Sequence, residues 1–145
     1  MKVYVAASSA EIDRARAWVV ALDALEIPVT STWIDTIDLV GSGNPRDAHP
    51  SRRRGWSETD LDQVESADVF WFLVPPLDKP TRGAWVELGY ALGCLRFATG
   101  ADRARRRVFC SGDTAQSIFC AMGREFAADR DAFAAICLLA GKAAS

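Results

Sequence analysis

The sequence predicts an α/β protein with a doubly wound parallel sheet, and three features carry that expectation. Val69-Phe70-Trp71-Phe72-Leu73-Val74 is apolar at consecutive positions, the pattern of a central strand covered on both faces. Short β-rich runs at residues 2–7 and 108–110 stand before and after it in the chain. Segments of helical periodicity separate the runs, and strands that alternate with helices pair in parallel through right-handed crossovers. The expected sheet is flavodoxin-like or Rossmann-like, with about four or five strands and helices on both faces.

Taken in order, residues 2–7 form the first strand, and Ser8 or Ser9 caps the helix that follows. In that helix Ile12, Ala15, Val19, Leu22 and Leu25 recur at helical spacing until Pro28 breaks the pattern. Residues 27–34 read as a second strand. Gly41, Gly43, Pro45 and Pro50 mark residues 38–55 as a long loop, a length usually tied to function in a compact domain. Ser57 opens the next helix, Leu61 and Val64 supply its apolar stripe, and Asp68 ends it. The apolar strand then runs to Pro75-Pro76. Gly83–Phe97 is rich in Ala and Leu and long enough for four helical turns. An arginine-rich stretch leads into Val108-Phe109-Cys110. After it come a short helix near residues 115–122, a minor strand near 125–127 and a last helix over Asp129–Leu139.

At 145 residues the chain has the commonest size of one domain, residues 1–145, and can bury one core. A formal charge of -2 gives no drive toward polymeric nucleic acid or an anionic membrane. No apolar run approaches the roughly 20 residues that cross a bilayer, and the N-terminus lacks a signal-peptide pattern, so a cytoplasmic location is expected. Cys94, Cys110, Cys120 and Cys137 include no C-x-x-C pair and His49 is the only histidine. A metal site is not expected, and the thiols read as small core residues. No G-x-G-x-x-G follows the first strand and no Walker-type lysine is present.

Sheets of this class bind ligands beyond the carboxyl ends of their strands, where strand order reverses. Tyr4 in the first strand, Asp60 in the helix before the apolar strand and Glu87 in the helix after it all fall near that edge. Glu87 stands among Ala84, Trp85, Val86, Leu88, Tyr90 and Ala91. A carboxylate without a partner is costly in apolar surroundings, which points to a purpose. An acid in the first turns of a helix is equally what the helix dipole favours.

Three stretches carry a resemblance: Val3-Tyr4-Val5-Ala6-Ala7, the run from Asp60-Leu61-Asp62 to Ala67-Asp68, and Gly83-Ala84-Trp85-Val86-Glu87-Leu88-Gly89-Tyr90-Ala91. Together they resemble the nucleoside 2-deoxyribosyltransferase superfamily, which includes the nucleoside 5'-monophosphate N-glycosidases. The resemblance covers most of the chain, and its Glu-Leu-Gly-Tyr-Ala element is the most specific part. It implies cleavage of an N-glycosidic bond, with Glu87 as the nucleophile that forms a glycosyl-enzyme ester, Asp60 near the leaving base or the sugar, and Tyr4 orienting the nucleophile. Water as acceptor makes such an enzyme a hydrolase, and a second base makes it a transferase. The transferases usually carry an aspartate six residues before the nucleophile, where this chain has Thr81. A hydroxyl there is similar to the nucleotide hydrolases, so Thr81, Arg82 and the Gly83 amide at a helix start form a candidate 5'-phosphate site. The resemblance implies no metal or organic cofactor, a nucleoside or nucleotide as the small-molecule partner, and a homodimer or higher oligomer in which Ser117 reaches a neighbouring site.

Ser8 and Ser9 are candidates to contact sugar or phosphate as well as caps. Trp33 and Trp56 are candidates to stack on a nucleobase, with core packing or loop anchoring as the other reading. Arg52-Arg53-Arg54 is either a solvated run or a reach toward phosphate. Arg103 with Arg105-Arg106-Arg107 reads as surface charge at the opposite edge of the sheet. The competing functional reading is a non-catalytic nucleotide-binding module on the same fold.

Overall fold

The computed structural model describes residues 1–40, 47–79 and 81–143. Strands β1 (Val3–Ala6), β2 (Val69–Leu73), β3 (Arg107–Ser111) and β4 (Arg124–Phe126) form one sheet in that spatial order, with every pairing parallel. The helices are α1 (Ile12–Ala24), α2 (Trp33–Val40), α3 (Pro50–Ser66), α4 (Gly83–Phe97), α5 (Gly100–Arg105) and α6 (Asp129–Leu139). Beyond β1, Val29 forms a single parallel bridge to Val3. The chain therefore steps to one side of β1 and returns past it to β2, which puts the reversal of strand order between β1 and β2.

Side chains alternate across a strand, so the sheet divides the core into two layers. Val3, Val5, Val69, Trp71 and Leu73 pack with Ala15 and Leu22 of α1 and with Ala132, Ile136 and Cys137 of α6. Tyr4, Ala6, Phe70 and Phe72 pack with Val64 of α3 and with Ala84, Leu88, Ala91 and Leu92 of α4. Every residue of β2 is buried, as its unbroken apolar run predicts. Cys110, Cys120 and Cys137 are buried free thiols and Cys94 is half-buried, in keeping with packing roles. No helix among the described residues is long and apolar enough to cross a membrane.

The structure corrects the expected organisation at five places. Residues 27–34 do not form a strand: after the Val29 bridge, the Val5 N–H donates to the Ser31 hydroxyl at 3.1 Å, where a continuing strand would offer a carbonyl. Trp33 already starts α2, which takes up the beginning of the expected long loop. The loop's Gly41, Gly43 and Pro45 lie outside the described residues. Helix α3 begins at Pro50 rather than Ser57, because Pro at the first helical position and His49 as N-cap start it early. Its first two turns are almost wholly exposed and so carry no apolar stripe to announce them. Residues 100–105 form the short helix α5, and the expected helix near 115–122 is instead two 3-10 turns, Thr114–Gln116 and Cys120–Met122.

A polar cluster fastens the α1 and α6 layer to the carboxyl edge of the sheet. Asp129 at the start of α6 accepts from Arg14 Nε at 2.7 Å and Nη2 at 2.8 Å, from the Ser111 hydroxyl at 2.7 Å and from the Trp18 indole at 3.2 Å. Arg14 also donates to the Val74 carbonyl at 3.0 Å, and Ser111 accepts from the Trp71 indole at 2.9 Å. Burial alone opposes ionisation of Asp129, but the Arg14 guanidinium and the hydroxyl and indole donors outweigh it and hold its pKa below the usual carboxylate value. A depressed pKa favours the folded state above the ordinary carboxylate range and loses that effect in acid. Asp129→Ala leaves Arg14 half-buried without its main partner. It should cost about 3 kcal/mol at neutral pH, read by urea unfolding, with the deficit shrinking as pH falls through the carboxylate range.

Candidate active site at the carboxyl edge

Tyr4, Asp60 and Glu87 come from three elements and converge on the α3–α4 face of the sheet. The alternation of β1 turns Tyr4 toward this layer, where its ring stacks on Phe70 with centroids 5.7 Å apart and planes 8° from parallel. Its hydroxyl is buried and meets no partner in full hydrogen-bond geometry. The Glu87 carboxylate is close enough to raise the phenol's pKa through its charge and as a hydrogen-bond acceptor. We read the hydroxyl as poised beside Glu87 rather than locked to it. Burial, then the charges of Glu87 and Asp60, push the Tyr4 pKa far above its ordinary value, so the phenol remains a neutral donor.

Glu87 lies one turn inside α4, on the same side as Gly83. Desolvation raises its pKa first, the Asp60 charge raises it further, and Tyr4 as donor lowers it in part, leaving it at about 7. Asp60, on α3, rises to about 6 through desolvation. No cation contributes to either shift. The two helices pack against each other, and that packing removes water from both carboxyls. Each residue nevertheless keeps partial exposure. The result is two neighbouring acids that share protons near neutrality, beside a neutral phenol.

The candidate anion site lies one helical turn away. Arg82 is exposed at the N-cap position of α4, and no side chain caps this helix end. Gly83 is exposed at the first helical position, with nothing within 4 Å of where a Cβ would stand. Thr81 is half-buried beside them. The first amides of α4 are thus open to an anion, with a hydroxyl and a guanidinium in the adjoining chain.

The other sequence candidates separate by role. Ser8 is buried, and its hydroxyl accepts from the Ala10 N–H at 3.3 Å as the cap of the 3-10 turn Ser9–Glu11. Ser9 is exposed at the first position of that turn. The Trp33 indole donates to the Val5 carbonyl at 2.8 Å and its ring packs against both core layers. Of its two readings, the structure supports anchoring. Ser117 lies in the β3–β4 connection, where its hydroxyl accepts from the Phe119 N–H at 3.2 Å. Gln116 next to it donates to the Pro75 carbonyl at 2.8 Å and draws this connection to the loop after β2. His49 caps α3, accepting from the Ser51 N–H at 3.4 Å. The Arg52 guanidinium lies 5.2 Å above the Trp56 ring centroid, and Arg53 and Arg54 are exposed on the same turn. Ser31 and the Arg14–Asp129 pair were missed in sequence, since single polar residues in unlike segments give no periodic signal.

No family model matches this chain, and no curated protein matches it. Among solved structures it is similar to the CMP N-glycosidase BcmB of Clostridium botulinum, with a TM-score of 0.52 over 96% of this chain and 99% of that chain. The two are 10% identical, so the likeness defines the fold: an α/β domain with one parallel sheet, alike over nearly its whole length.

Keeping Glu87 ionised has a cost to stability. Its folded pKa of about 7 stands above the ordinary 4.5, so folding favours the protonated form. The associated stability is complete in acid and is lost as pH rises through 7. Glu87→Gln, which carries no charge, should therefore be more stable than the parent by about 2 kcal/mol at pH 8 and nearly equal to it at about pH 4. Denaturant unfolding at the two pH values checks this; an equal difference at both would mean the carboxylate is not desolvated.

Proposed function

We propose that this protein cleaves the N-glycosidic bond of a nucleoside or, in preference, a nucleoside 5'-monophosphate, with Glu87 as the nucleophile. The observation that carries this reading is the desolvated Glu87 carboxyl beside Asp60 and the Tyr4 hydroxyl, with an open helix start one turn away. The fold shared with a CMP N-glycosidase and the resemblance of the Glu87 segment agree with it.

In the first step a Glu87 carboxylate oxygen bonds to the anomeric carbon as the carbon–nitrogen bond breaks. The bonding electrons leave with the base, to which Asp60 in its acid form delivers a proton. Tyr4 donates toward the second Glu87 oxygen and holds it in line. In the second step a water loses its proton to Asp60 and attacks the same carbon, which frees Glu87. A second base in place of water completes transfer. Thr81, Arg82 and the Gly83 amide receive the 5'-phosphate, and Ser8 and Ser9 border the sugar from the β1 end. The proton and electron count closes on these groups without a cofactor. A homodimer, with Ser117 reaching a neighbouring site, belongs to this proposal.

Incubation with a panel of nucleosides and monophosphates, followed by chromatography of free base, tests the assignment. Glu87→Ala should lower release by about a thousandfold or more while circular dichroism remains unchanged. Ligand protection against heating without any base release would instead identify a nucleotide-binding module. Asp60→Asn should slow substrates with poor leaving bases more than those with good ones, and a uniform effect would remove Asp60 from the proton-donor role.

The pair also dictates a pH profile. The working state holds one proton over the two acids, with Glu87 ionised and Asp60 protonated. Because Glu87 is the more basic of the two, this is the minor arrangement of the singly protonated pair, and the reaction draws on it. Below about 6 both acids are protonated, and above about 7 both are ionised. A narrow bell in kcat/KM should follow, its limbs belonging to the pair rather than to either residue. Asp60→Asn should turn the bell into a single rise, placed at lower pH because the charge that raises Glu87 is gone.

A further inference from the structure

We propose that the amino edge of the sheet carries a second ligand site, for a small organic phosphate with an apolar body. The site is a cleft of about 460 Å³ between the end of α4, the start of β3 and the start of β4. Small-molecule sites typically span roughly 300–1,000 Å³. Four arginines line it, Arg103, Arg106, Arg107 and Arg124, in a protein whose formal net charge is -2.

The charge in this cleft is largely uncompensated. Asp102 pairs with Arg106 at 2.9 Å and with Arg105 at 2.6 Å, and Asp68 pairs with Arg105 as well. Arg103 donates to the Leu95 carbonyl, and Arg107 donates to the Ala104 and Arg106 carbonyls, each at 2.7 Å. Carbonyl acceptors position a guanidinium but leave its charge in place. Arg124 rests over the Phe126 ring, 4.8 Å from its centroid. Three guanidinium groups thus face one cleft without a carboxylate partner among the described residues. A planar fork of donors matches phosphate oxygens closely, and a phosphate accepts several such bonds at once.

The same cleft exposes apolar surface. Met122 and Leu139 line it, 51% and 47% exposed, alongside Leu95 and Phe109. A phosphate seated on Arg107 and Arg124 would leave its organic portion against Met122 and Leu139, so the lining fits an organic phosphate better than a bare inorganic ion. The cleft lies across the sheet from Glu87, and the proposal does not depend on the activity assigned to that residue.

Titration calorimetry with 1-naphthyl phosphate, with inorganic phosphate beside it, tests the site. The parent protein and Glu87→Ala should bind 1-naphthyl phosphate alike and more tightly than inorganic phosphate. The double variant Arg107→Ala/Arg124→Ala should bind it about tenfold more weakly or worse. Should the double variant fail to fold, Arg124→Ala alone, on an edge strand, should still lose affinity severalfold. Absence of saturable binding, unchanged affinity in the arginine variants, or loss of binding in Glu87→Ala would each overturn the proposal.

Discussion

The burial of β2 on both faces is the constraint from which the rest of this structure follows. A strand with Val, Phe, Trp, Phe and Leu in succession has no face for water, so it must lie inside a sheet with helices on either side. That requirement puts β1 and β3 beside it in parallel and sends each connection through a helix. It also confines polar chemistry to the ends of the strands, since the lateral faces are filled. The carboxyl ends of β1 and β2, where the winding direction reverses, receive the starts of α1 and α4 and with them the candidate site.

Within that site, polarity has been pressed into the margin of an apolar layer. Tyr4 is a core residue by packing, stacked on Phe70, yet it brings a hydroxyl to the side of Glu87. The α3–α4 contact that buries Val64 and Leu88 also strips water from Asp60 and Glu87. The same packing therefore stabilises the layer and raises both carboxyls toward neutrality. Such conflicts between local polarity and burial concentrate at functional sites. The Arg14–Asp129 cluster shows the other outcome on the opposite layer, where a buried carboxylate has a cation and further donors and its pKa falls.

The two edges of the sheet differ in electrostatic character. At the carboxyl edge Asp60 and Glu87 have no cation acting on them, whereas the amino edge holds arginines with too few acids. Helix α4 spans the distance, with Glu87 near its start and Leu95 near its end. Neither edge can be judged from net charge, because the opposing groups nearly cancel in the sum.

How much of this was legible in sequence depended on the range of the interaction concerned. The Gly83–Phe97 and Asp129–Leu139 helices and the central strand were readable because local periodicity and unbroken apolarity encode them directly. Tyr4, Asp60 and Glu87 could be singled out by residue type, by apolar surroundings and by resemblance. Their mutual placement came only with tertiary packing, since α3, α4 and β1 meet through contacts far apart in the chain. The failure at residues 27–34 has the same origin: the Ser31 hydroxyl takes the Val5 N–H and ends the pairing, a single long-range bond with no pattern of its own. The exposed first turns of α3 lacked the apolar stripe that marks a helix. Local propensity and the burial of apolar runs were thus determined by the sequence itself. The proton affinity of the carboxyls, the Asp129 cluster and the arginine cleft were decided by folding, because each depends on which distant charges and how much water the packed chain leaves nearby.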